Sequence, residues 1–136
     1  ERYVQQGAEL NETPEFALLI SRYGDCLAAQ KNYKNAREAY EEAIKRWQKL
    51  GDYDNRAIAL VKLGDLLDKQ KLDASQPYEE AIRLLKEHSS KPEALLAIAE
   101  KHYADHLWRK ANLLGAVALK LEYSRLVSRM KTAALQ

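Results

Sequence analysis

The sequence predicts an all-α chain built from helix hairpins, and three observations carry that prediction. Gly and Pro are scarce, at 5 and 3 of 136 residues, while Ala, Leu, Glu and Lys are abundant, so intrinsic propensity favours helix nearly throughout. Apolar residues step by three and four in Phe16, Leu19, Ile20, Tyr23, Cys26 and Leu27, and again in Ile58, Leu60, Val61, Leu63, Leu66 and Leu67, which is the period of an amphipathic helix. The word YEEAI is spelled twice, from Tyr40 and from Tyr78, which marks a repeated structural unit.

The elements follow in order from the breaks between periodic stretches. Residues 1–12 read as the end of a preceding helix. Turns are expected at Asn11–Glu15, Lys31–Asn35, Leu50–Asn55, Lys71–Pro77 and His88–Glu93, where Asn, Asp, Gly, Ser and Pro gather. Pro14 and Pro92 stand just before helices and Pro77 in the first turn of another, the positions where a missing N–H costs least. This places repeat one at about 15–50, repeat two at about 54–88, repeat three at about 92–120, and an extension at 121–136. Leu107–Leu135 is expected to run as one long final helix that caps the array or leads into further repeats.

Small residues recur in step with the repeated word. Ala36 and Ala43, Ala74 and Ala81, and Ala111 and Ala118 are each seven apart, and successive pairs are displaced by 38 and then 37 residues. One helix upstream of each pair stand Tyr23-Gly24-Asp25, Leu63-Gly64-Asp65 and Ile98-Ala99-Glu100. Antiparallel helices approach to about 8 Å only where small side chains meet, so Gly on the first helix and Ala on the second are contact residues, with Tyr filling the space beside them. In YEEAI the Tyr, Ala and Ile then face inward. Glu41 and Glu42 face solvent, and no paired-carboxylate chemistry is expected of adjacent helix positions.

This arrangement resembles the tetratricopeptide repeat. The matching residues are Ile20, Tyr23, Gly24, Leu27, Ala36, Tyr40 and Ala43 in the first copy, and Leu60, Leu63, Gly64, Leu67, Ala74, Tyr78 and Ala81 in the second. The second copy is two residues shorter between its Gly and its first Ala, and the Pro that commonly closes the unit is replaced in the first copy by Gln48. The third copy, Leu95, Ile98, Ala99, His102, Ala111, Gly115 and Ala118, is degenerate and rests on its register. The resemblance covers about Glu15 to Lys131. It implies a right-handed α-solenoid whose first helices line a concave groove, and a scaffold or adaptor that binds another protein there.

Composition bounds the remaining possibilities. At 46% hydrophobic and 31% charged residues, the chain fits a single domain able to bury a core without metal or disulfide. Cys26 is the only cysteine, which excludes an intramolecular disulfide and leads us to expect an intracellular, cytoplasmic setting. No apolar run is long enough to cross a bilayer, so no membrane partner is expected. The chain opens at Glu1 without Met, and is expected to be a fragment of a longer protein. The formal net charge of +2 does not announce a nucleic-acid partner, although the stretch from Asp105 onward carries +4.

No phosphate-binding loop, nucleophile elbow, CxxC pair or HExxH occurs, so neither an enzyme nor a cofactor is expected. His102 and His106, four apart with Glu100 and Asp105 nearby, could share a metal, but the repeat register assigns His102 to packing and no metal is expected. Cys26 reads as a small buried hydrophobe and Trp47 and Trp108 as packing or capping aromatics.

Carrying the groove positions over from the resemblance gives Ser21, Arg22 and Asp25 in the first copy, Val61, Lys62, Asp65 and Asp68 in the second, and Leu96, Glu100 and Tyr103 in the third. Asp25, Asp65 and Glu100 are equivalent, and as an acidic column they would attract a partner with a basic segment. The rival readings are self-association through exposed repeat ends, as in a regulatory or sensor module of a larger protein, and nucleic-acid binding through the basic final helix.

Overall fold

A computed structural model describes residues 12–135. Among them are five helices: α1 (Pro14–Ala29), α2 (Tyr33–Leu50), α3 (Tyr53–Lys69), α4 (Ser75–His88) and α5 (Pro92–Leu135). The expected end of a preceding helix at residues 1–12 lies, but for Glu12, outside the described residues. Among the described residues, close contacts divide the chain after Ala104 into two units.

Local chemistry sets the breaks of the first unit. Thr13 caps α1, its Oγ1 accepting from the Phe16 N–H at 3.3 Å with Pro14 at the first helical position, and Asp52 caps α3 by accepting from the Asn55 N–H at 3.0 Å. Helices α1, α2 and α3 end alike: the N–H groups of Asn32, Asp52 and Leu72 reach back to the carbonyls of Leu27, Trp47 and Leu67 through a residue in the left-handed conformation. Gly51 fills that position after α2 at φ +70°, but Lys31 and Lys71 fill it after α1 and α3 at φ 61°, where a Cβ is strained. Helix α4 begins without a cap of its own, Asp73 accepting instead from the N–H and hydroxyl of Ser75.

Helices α1 and α2 pack as one hairpin, α3 and α4 as a second, and α2 packs on α3 to join them. The main core gathers Leu27, Tyr40, Leu60, Leu66, Tyr78 and Leu84 among others, and Ala99 at the start of α5 is buried in it. A smaller cluster holds Trp47 against Ala17, Ala43 and Ala59. At about 25 cal/mol per Å2 of apolar surface removed from water, each fully buried Leu side chain contributes on the order of 2 kcal/mol to this core.

The opening stretch of α1 corrects one expectation. Its buried stripe is Ala17, Ser21, Gly24 and Leu27, so Leu19, Tyr23 and Cys26 turn outward and the thiol is exposed. Cys26 stands two positions past Gly24, about 200° around the helix, which takes it off the packed face.

The third hairpin also differs from expectation. No turn separates His102 from Ala111, and α5 runs unbroken from Pro92 to Leu135. The stretch ADHLWRK, residues 104–110, contains no Gly, Pro, Asn or Ser to end a helix, so local propensity carries it through. In the second unit Trp108 is exposed rather than packed, and Gly115 has open space where a Cβ would stand.

Candidate functional site

The repeated Gly-Asp pair and the repeated Tyr are two halves of one joint. A Cβ built on Gly24 would stand 2.8 Å from Tyr40 Cε1, and one on Gly64 only 2.7 Å from Tyr78 Cε1 and Cζ, so each ring lies flat on helix backbone that a side chain would block. The ring's hydroxyl then reaches the carboxylate next to the Gly: Tyr40 donates to Asp25 at 2.6 Å and Tyr78 to Asp65 at 2.5 Å. Burial first, and donation to Asp25 second, push the Tyr40 phenol well above its ordinary range.

The same two carboxylates continue to the next first helix. Lys62 Nζ of α3 lies 2.9 Å from Asp25 and 3.5 Å from the Ser21 hydroxyl. His102 Nδ1 of α5 lies 2.8 Å from Asp65. Each Asp thus links its own second helix, through Tyr, to the following first helix, through a nitrogen 37 residues downstream. Tyr103 adds to the second joint: its ring stacks on Tyr78 at 5.5 Å and its hydroxyl donates to Glu79 at 2.7 Å, which with partial desolvation raises its pKa.

The ten expected groove residues therefore divide by position. Ser21 and Val61 are buried in the helix contacts, and Leu96 and Tyr103 pack partly against the core, so these four hold helices together. Arg22 and Glu100 are exposed. Asp25, Lys62, Asp65 and Asp68 are half-buried. Asp25 and Asp65 are not a bare acidic column, since each already accepts from a phenol and faces a nitrogen base. The sequence carried a signal for this in the pairing of each GD with a Tyr on the following helix, but nothing marked Lys62 and His102 as the partners.

The glutamates of the repeated word are engaged on the outer surface. Glu41 pairs with Arg37 at 2.9 Å and Glu42 with Arg46 at 3.0 Å, while in the second copy Glu80 meets Arg56 of α3 at 2.9 Å. Among the described residues no group of three or more His, Cys, Asp or Glu could hold a metal ion, and no described helix is long and apolar enough to cross a membrane.

No curated protein and no solved structure matches the chain. The family model of the tetratricopeptide repeat matches residues 15–87, more than half the chain and the span of both hairpins. Repeats of this kind generally mediate protein–protein interaction. With two hairpins built on the same Gly-Asp-Tyr joint inside the matched span, the chain belongs to the tetratricopeptide repeat family.

Proposed function

We propose that this chain is a scaffold or adaptor module that binds a segment of another protein across the first helices α1, α3 and the start of α5. The observation that carries the reading is the pair of links from Asp25 to Lys62 and from Asp65 to His102. They join successive first helices side by side, so the accessible groups Arg22, Asp25, Lys62, Asp65, Asp68 and Glu100 fall on one run of helices. A peptide lying across that run would meet both charge signs, and its own charges would be ordered to match. Preference for a purely basic segment is weaker than the bare column implied, because the two Asp carboxylates are already partnered. No residue is assigned a catalytic role.

The test is site-specific photo-cross-linking. A photoreactive side chain at Arg22 or Glu100 should capture the same partner, whereas one at Glu38 or Lys45 on α2 should not. A partner captured only from α2 would move recognition to the outer helices and end the groove reading.

A further inference from the structure

The two joints set a register that reaches beyond them. Lys62 meets Asp25 and His102 meets Asp65. Lys62 and His102 stand 40 residues apart, and so do Asp25 and Asp65. Each series has one member more: Arg22 stands 40 before Lys62, and Asp105 stands 40 after Asp65. The same step carries Tyr23-Gly24-Asp25 to Leu63-Gly64-Asp65 and on to Tyr103-Ala104-Asp105, so the third member of the Asp series is Asp105 and not Glu100. Three bases and three carboxylates make two internal links and leave one of each, Arg22 on α1 and Asp105 on α5, both exposed.

The surroundings of Arg22 match those of a helix packed on a preceding unit. Beside Lys62 on α3, Ala59 and Leu63 are buried, and beside His102 on α5, Ala99 is buried and Tyr103 stacks on Tyr78. Their α1 equivalents, Leu19 and Tyr23, are 61% and 60% exposed. A guanidinium bordered by open apolar side chains suits a carboxylate, which its planar fork grips at two points. On α5 the carboxylate of Asp105 has exposed Trp108 one turn further on, a ring over which a guanidinium can also lie. Net charge favours the same pairing of unlike ends: residues 105–136 carry +4 and the whole chain +2, so residues 1–104 carry −2.

We infer that α1 of one copy docks on α5 of a second copy, with Arg22 pairing to Asp105 of that copy as Lys62 pairs to Asp25 and His102 to Asp65. The partner is this chain itself. Because the two surfaces differ, the contact is heterologous, and every pair of copies leaves one Arg22 and one Asp105 for the next.

Sedimentation velocity of the 136-residue chain tests it. The average mass should climb with concentration up to about millimolar and pass that of a dimer, because a head-to-tail contact does not close. Arg22→Glu and Asp105→Arg should each weaken association at least about tenfold by setting like charges against each other. Both side chains are exposed, so circular dichroism and the urea midpoint should be unchanged. Mixing the two variants, or placing both changes in one chain, should restore association, which a merely sticky surface would not do. A chain monomeric throughout would hand the two faces to other occupants, such as further repeats or another protein, and overturn the inference. So would association indifferent to both reversals, a mass that stops at a dimer, or a loss that neither the mixture nor the double variant recovers.

Discussion

Replacing Gly64 with Ala tests whether the close approach of ring to helix organises the fold. In the middle of a helix, Ala is ordinarily favoured over Gly by about 0.5–1 kcal/mol. Here the new Cβ would lie 2.7 Å from two ring atoms of Tyr78, whose side chain is fully buried, stacked on Tyr103 and held by its hydroxyl to Asp65. The ring has no flexible end to yield, so α3 and α4 must separate, an overpacking that costs about 1–3 kcal/mol. The two effects oppose, and their sum is a net loss of about 0–2.5 kcal/mol, centred on about 1 kcal/mol. Gly24→Ala should lose less, because the nearest approach to Tyr40 is 2.8 Å and that ring keeps 4% of its surface exposed, against 0% for Tyr78. Gly115→Ala meets nothing within 4 Å and should gain the full propensity term. Urea denaturation followed by circular dichroism ranks the first two variants, and amide exchange around residue 115 reads the third. If Gly64→Ala proved as stable as the parent, the joint would be a consequence of the packing and not a requirement for it.

Three further outcomes are expected. Lys71→Gly and Lys31→Gly should each raise stability, by about 1 kcal/mol in thermal or urea unfolding, since each relieves a left-handed Cβ without removing a hydrogen bond. Tyr40 titrates higher when folded than its ordinary 10.0, so its contribution is complete below about pH 10 and is lost as pH rises beyond; Tyr40→Phe should flatten the alkaline fall in stability measured between neutral and strongly basic solution. Leu84→Ala, at 2% exposure in the core, should cost about 2–5 kcal/mol in urea unfolding, against less than about 0.5 kcal/mol for exposed Leu119→Ala.

The hairpins were legible because their signals are local. Thr13-Pro14, Gly51-Asp52 and Pro77 mark helix ends whatever surrounds them, and the Gly and Tyr of each copy announce one close contact. Periodicity was less informative for α1, where apolar residues occupy two faces and the packed one is marked by Ala17, Ser21 and Gly24 rather than by the larger Leu19 and Tyr23. The third copy misled for a related reason: Ala111 and Ala118 kept the register of a second helix although no residue before them breaks the first. The candidate site was legible in its positions and not in its state. That Asp25 and Asp65 stand on successive first helices follows from register, whereas their engagement depends on Lys62 and His102, which reach them only once the hairpins have packed.

Helix α3 faces both ways along the array. Lys62 answers the carboxylate of the unit before it, and Asp65, one turn later, presents the same kind of carboxylate to the unit after it. The segment therefore carries both a plug and a matching socket, and a duplicated α3–α4 hairpin would find in its own twin the Lys that Asp25 finds in it. Lengthening such an array calls for no new joint chemistry, only for another copy of the one hairpin that already contains both parts.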